Sequence, residues 1–415
     1  MGNDAGLQDV LYDAADYRVR HVSCGNDRVC VITFASLTDT HELDQPGFGE
    51  EFLKQHGIDA VHVIIRTNVW YFFDDFDIAL ERIRAVARRY DRVLTYGSSM
   101  GGYAAIRFAE TLGADVAVAI SPQYSVSKRI APFEIRWRHL TPDNSPVHEE
   151  PEHGSAKVAP IVFYDPQDLD ARHFRLVAAH YPRTVGVAMP HAGHPAGGML
   201  AETHLLSRAI LDIVDGPFDS RALAQELRAR RRQSGHYLLT LARRIGPAHM
   251  RWKSALAQAA VAAKREAVYL IYDGVLREKL GDAAACEAQL LEAARVLPNH
   301  PAPLRALASF EIRRGGADAA VNYARQLCAI DPQPHYQRML MCALALAGQT
   351  GEAREIAAAL GSGFLLRASL SGVAFFVPTR ALRRWWAKDY TIKIEFDMLD
   401  EWRWRKNERH RFLHA

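Results

Sequence analysis

The 415-residue sequence predicts an α/β domain built on a mostly parallel sheet, followed by an all-α domain of helical repeats. Three observations carry this prediction. Residues 17 to about 215 alternate between apolar strand-like and amphipathic helix-like segments, the pattern of parallel strands joined by covering helices. Strand signals stop beyond residue 219. A spacing of 34 residues then relates Gly281 to Gly315 and Pro298 to Pro332.

The expected strands are 17–23, 29–35, 60–66, 92–96, 115–120, 160–164 and 184–188. The near-continuous apolar runs Val29-Cys30-Val31-Ile32 and Val116-Ala117-Val118-Ala119-Ile120 suit strands buried on both faces. Helical periodicity marks 76–89, 103–112, 171–180 and 199–214. Residues 1–217 are read as the sheet domain. Within it the polar, proline-containing stretch 121–158 is too long for a plain connection and is expected to cap the sheet. Residues 218–264 read as a basic helical bridge, 265–362 as about three stacked helix pairs, and 363–415 as a basic aromatic segment. Its tryptophans, Trp385, Trp386, Trp402 and Trp404, are expected to dock against a neighbouring element.

The most informative run is Tyr96-Gly97-Ser98-Ser99-Met100-Gly101-Gly102. An apolar strand leads into Gly-x-Ser-x-Gly, and a helix-like stretch follows. That context fits a sharp turn that presents a serine hydroxyl, with glycines where a Cβ would obstruct the strand–helix approach. A serine hydroxyl is a weak nucleophile and needs a histidine base oriented by a carboxylate. Candidate acids Asp165, Asp168 and Asp170 follow the strand 160–164; candidate bases His191 and His194 follow the strand 184–188. Asn68-Val69-Trp70-Tyr71-Phe72 could place Trp70 and Tyr71 near Ser99, or staple the next helix. Arg136 and Arg138 could hold an anionic substrate group.

This arrangement resembles the α/β-hydrolase superfamily over residues 17 to 215, with its chain order of serine, acid, histidine. The resemblance implies an acid about four positions beyond its strand, which favours Asp168, and a histidine after glycine, which favours His194. It also implies an oxyanion hole from the Met100 amide and a second donor near Ser36 or Leu37. There the sequence reads Phe34-Ala35-Ser36-Leu37, not the family's common His-Gly-Gly-Gly. The expected activity is a serine esterase or thioesterase with an acyl-enzyme on Ser99. Acyl transfer to a glycan or protein hydroxyl, or a non-catalytic repeat scaffold, are the alternatives. The 34-residue period is similar to tetratricopeptide repeats, which implies a protein partner or polymeric acceptor.

Composition narrows the rest. A net charge of +3 is small for this length, so no nucleic-acid partner is expected. Five scattered cysteines (24, 30, 286, 328, 342) point to free thiols in a reducing compartment. The N-terminus has no basic region with an apolar core behind it, and no apolar run approaches a membrane span, so a cytoplasmic chain is expected. The sequence holds no phosphate-binding glycine loop, paired-cysteine zinc spacing or dinucleotide fingerprint; no cofactor or metal is expected.

Overall fold

The computed structural model describes residues 7–38 and 41–360, together with the backbone of 364–368 and 374–378. The chain divides into two units, Met1–Leu241 and Ala242–Ala415.

The first unit holds eight strands: β1 (Leu7–Asp13), β2 (Tyr17–Ser23), β3 (Val29–Phe34), β4 (Asp59–Ile65), β5 (Arg92–Ser98), β6 (Val116–Ile120), β7 (Ala159–Tyr164) and β8 (Val185–Ala188). Their order across the sheet is β1-β2-β4-β3-β5-β6-β7-β8. Strands β3 to β8 pair in parallel, and β2 runs antiparallel to both β1 and β4. This is the mostly parallel sheet that the sequence predicts. Every residue of β4 is buried, as a central strand covered on both faces requires. The edge strand β1 escapes sequence reading because its alternation is weak: Val10 is exposed, and the register shifts between Val10 and Tyr12.

The helices of this unit are α1 (Glu50–Gln55), α2 (Phe76–Ala87), α3 (Met100–Arg107), α4 (Ala109–Leu112), α5 (Asp170–His180), α6 (Gly197–Glu202), α7 (Leu206–Asp215) and α8 (Ser220–Arg230), with α9 (Gly235–Arg244) running up to and across the division. The periodic stretch 199–214 is two helices, because His204 adopts a left-handed φ of 56° between α6 and α7. Helix α3 packs on β3, β5 and β6 and anchors the core. Tyr17, Phe34, Tyr71, Phe76 and Phe108 form an aromatic cluster beside it.

The segment 121–158 contains one 3-10 turn, Pro146–Glu149, and no strand. It is fastened to the body by buried polar contacts. Glu150 accepts from the hydroxyls of Tyr103 on α3 (2.8 Å) and Ser125 (2.6 Å). The ring of His153 stacks on Tyr124 and bonds the Tyr181 hydroxyl at 2.8 Å.

The second unit is helical. After α10 (Met250–Ala263), helices pair in succession: α11 (Ala267–Lys279) with α12 (Ala283–Val296), α13 (Pro301–Arg314) with α14 (Ala317–Ile330), and α15 (Pro334–Leu346) with α16 (Thr350–Ala359). The turn within each pair passes through a glycine of positive φ: Gly281, Gly315 and Gly348. Leu304, Ala308, Val321, Leu327, Met339 and Leu344 share one core across successive pairs. Two short antiparallel strands, β9 (Phe364–Ala368) and β10 (Ala374–Pro378), follow. The four C-terminal tryptophans lie outside the described residues. Among the described residues no helix is long and apolar enough to cross a membrane. All five cysteines are free thiols.

Four imidazoles of the first unit are buried, those of His21, His62, His153 and His173. His62 on β4 bonds Thr33 Oγ1 at 2.6 Å, and burial lowers its pKa to about 4 against the opposing pull of Glu50. Burial likewise brings His153 to about 3 and lowers His173. The folded rings therefore stay neutral where unfolded ones, with pKa near ~6.5, take up protons. Their contribution is complete above that value and is lost progressively as pH falls from ~6.5 toward the folded values. We expect thermal unfolding of this unit at pH 5.0 to show a loss on the order of 1–2 kcal/mol for each of His62 and His153 relative to pH 7.5. An unchanged transition between those two pH values would show that these rings are not held neutral.

Candidate active site

Strand β5 ends at Ser98 and α3 begins at Met100, so Ser99 alone makes the reversal, at φ 51° and ψ −115°. Such a conformation is strained for a residue with a Cβ. The glycines on either side make the turn feasible. A Cβ on Gly97 would stand 2.3 Å from the Gly101 carbonyl, and one on Gly101 would stand 2.2 Å from the Phe34 carbonyl oxygen. The Ser99 amide donates to the Ile120 carbonyl at 2.8 Å, which ties the turn to β6.

His194 arrives on the loop after β8. Asp165, at the end of β7 and fully buried, accepts the amides of Gly193 (2.8 Å) and His191 (3.3 Å) and thereby shapes that loop. His194 Nε2 lies 2.9 Å from Ser99 Oγ. Its Nδ1 lies 3.0 Å from both carboxylate oxygens of Asp170. A carboxylate only accepts, so Nδ1 carries the proton and Nε2 turns its lone pair toward the serine.

The acid expected from the sequence, Asp168, does not reach the ring. Residues 165–168 form a turn closed by the Asp168 amide on the Asp165 carbonyl, and the Asp168 carboxylate accepts the amide of Leu169 at 2.6 Å. The first carboxylate facing His194 is therefore Asp170, the first residue of α5. Position relative to the strand end is a poor guide when the connecting turn absorbs part of the count.

Arg136, expected to meet an anionic substrate, is instead consumed inside the protein. Its side chain is 4% exposed and donates to Asp170 (2.8 Å) and to both oxygens of Glu134. Asp168 lies at the edge of the same group, 3.5 Å away. Glu134 is bonded in turn to His173 Nε2 at 2.9 Å. His173 Nδ1 accepts the Tyr124 amide, so Nε2 must carry the proton it gives to Glu134. Burial alone would raise the carboxyl groups of Asp170 and Glu134. His194 and Arg136 hold Asp170 below its ordinary pKa, and His173 and Arg136 hold Glu134 well below. Arg138 donates to the Pro132 carbonyl within its own segment.

The remaining expected residues divide. Met100 opens α3 with no side-chain cap, so its amide is among the first free donors of the helix, beside Ser99. The loop carrying Ser36 and Leu37 leaves β3 where the Phe34 and Ala35 carbonyls meet the first turn of α3. Trp70 is connected to the serine through a residue that sequence reasoning missed. Gln123, fully buried after β6, donates to Ser99 Oγ at 3.3 Å and accepts from Trp70 Nε1 at 3.3 Å. Tyr71 turns away into the core, and its hydroxyl donates to the Ala35 carbonyl. Trp137 lies beside the His194 ring, with centroids 5.7 Å apart. Nothing in the local pattern of Gln123 distinguishes it from a loop glutamine; only the pairing of β5 with β6 brings it to Ser99. Among the described residues no group of three or more His, Cys, Asp or Glu is arranged to hold a metal ion.

No family model matches the sequence, and no curated protein matches it either. Solved structures with partial likeness include esterase 2 of Thermogutta terrifontis, at 15% identity and a TM-score of 0.39, covering 53% of this chain and 98% of that one. The capsule O-acetyltransferase of Neisseria meningitidis serogroup A is similar at 12% identity and a TM-score of 0.35, covering 49% of this chain and 94% of its own. YrrB, a TPR protein with an unusual peptide-binding site, is similar at 12% identity and a TM-score of 0.29, covering 39% and 82%.

Removing Arg136 leaves two buried carboxylates without their cation. We expect Arg136→Met to destabilise the first unit by about 3–5 kcal/mol, and Glu134→Gln on that background to recover part of the loss. Denaturant unfolding of both variants checks this; a double variant no more stable than the single one would mean that Arg136 does not neutralise Glu134.

Proposed function

We propose that the chain is a member of the α/β-hydrolase superfamily and a serine-dependent acyl-transfer enzyme, acting as a carboxylic esterase or thioesterase through an acyl-enzyme on Ser99. One observation carries the reading: the unbroken line from Asp170 through His194 to Ser99 Oγ, with bonds of 3.0 and 2.9 Å. His194 takes the Oγ proton on Nε2 as Oγ bonds to the acyl carbon. The tetrahedral oxyanion is met by the Met100 amide, with the Gln123 side chain and the Ser36–Leu37 loop as further donors. The carbon–leaving-group bond then breaks, and the imidazolium returns its proton to the departing oxygen or sulfur. A water, or an acceptor hydroxyl, gives its proton to Nε2 and attacks the acyl carbon; the acyl–Oγ bond then breaks and the imidazolium returns that proton to Oγ. Asp170 stays ionised throughout and stabilises the imidazolium.

The helix pairs of the second unit, with their 34-residue spacing, are proposed to bring a protein partner or polymeric acceptor. The five free thiols support a cytoplasmic setting.

Incubation with p-nitrophenyl acetate should give turnover and an acetylated Ser99 peptide by mass spectrometry, and Ser99→Ala should give neither. Asp170→Asn should lower kcat by about 10³–10⁴, because an amide orients the ring in the wrong tautomer. Asp168→Asn should stay within about threefold of wild type. The opposite ranking of those two aspartates would exclude the assigned acid.

A further inference from the structure

Four side chains, Gln123, Trp70, Trp137 and His194, close a ring with Ser99. Gln123 contacts the serine and Trp70 at 3.3 Å each. Trp70 faces Trp137 with centroids 6.1 Å apart, Trp137 faces His194 at 5.7 Å, and His194 returns to Ser99 at 2.9 Å. The ring is closely walled: Ser99 is 6% exposed, Trp70 1% and Gln123 0%. Trp137 and His194 are half-buried.

These walls are not free to retreat. Trp70 and Tyr71 both adopt left-handed φ values, 52° and 62°. Bulky residues hold such angles only where the surroundings over-determine them. Tyr71 is pinned by its hydroxyl bond to Ala35 and by Phe34 and Phe76, which sets the direction of the Trp70 indole. Gln123 is held at both ends of its amide. An extended acyl chain beside Ser99 would have to displace a strained, buried tryptophan or desolvate a buried amide.

We propose that the wall of Trp70 and Gln123, completed by Trp137, restricts Ser99 to acyl groups of acetyl size. This rests on the serine acyl-transfer reading and names its acyl class. Trp70 and Trp137 are then specificity-determining residues: they set which acyl group fits, and the chemistry is left to Ser99, His194, Asp170 and the oxyanion donors. A one-methylene difference in a closed apolar pocket is worth about 10- to 200-fold, so two added methylenes should be read easily.

The test is a p-nitrophenyl ester series on the full chain, from acetate through butyrate to octanoate. Wild type should prefer acetate over butyrate by at least about tenfold in kcat/KM and show no turnover of octanoate. Trp137→Ala, at the half-buried position, should narrow the acetate-to-butyrate ratio by about threefold or more; Trp70→Phe should narrow it in the same direction. A flat or rising series with Ser99 acetylated overturns the size restriction and leaves the serine reading standing. An unchanged ratio in both variants, each folded by circular dichroism, also overturns it. Absence of any ester turnover or acetyl-Ser99 overturns the serine reading, and this inference with it.

Discussion

The Asp170 carboxylate serves two donors at once, and the arrangement of the site follows from that sharing. Its two oxygens meet His194 Nδ1, and one of them also takes the Arg136 guanidinium. A buried carboxylate is costly to desolvate unless its lone pairs are filled. Arg136 fills the remaining capacity but carries its own charge into the interior, which Glu134 offsets. Glu134 is satisfied in turn by His173, and His173 by the Tyr124 amide. Each partner removes the penalty that the previous one creates. The chain of bonds thus makes 121–158 a structural part of the site, since Tyr124, Glu134 and Arg136 all come from it.

A second constraint is conformational. Trp70, Tyr71, Ser99, Ser121 and His191 all have positive φ, and all follow the C-terminal ends of strands β4, β5, β6 or β8. Strain of about 1–3 kcal/mol per residue persists only where packing leaves no alternative. The Gly97–Gly101 approach and the aromatic cluster around Tyr71 supply that packing. The sheet's carboxyl edge is also where parallel α/β proteins bind ligands, because chain reversals converge there. Here the strained positions and the Ser99–His194–Asp170 line occupy the same edge.

The second unit is governed by repetition. Its pairs reuse one glycine turn and a proline at the start of α13 and α15. Buried acids on the first helices of two pairs are matched locally: Asp273 by Arg277 and Glu311 by Arg314. Such matching within one helix lets each pair bury its charge before its neighbour packs against it.

The alternation of strand and helix, the serine turn and the helix pairs were legible in the sequence because each rests on local chemistry. A buried parallel strand needs a continuous apolar run, a reversal at Ser99 needs flanking glycines, and a repeated turn needs Gly281 and Gly315 at one period. Local pattern leaves His191 and His194 both open after their strand; the choice of His194 comes from the resemblance, which implies a histidine after a glycine. Tertiary structure decided what depends on distance across the sheet. It placed Asp170 rather than Asp168 at the histidine, because the turn at 165–168 absorbs the difference. It drew Arg136 inward, because the charges that neutralise it come from α5 and its own segment. It brought Gln123 to Ser99 through the pairing of β5 with β6. Local pattern reports what a segment can become; which side chains meet is settled by register and burial, which no short window of sequence contains.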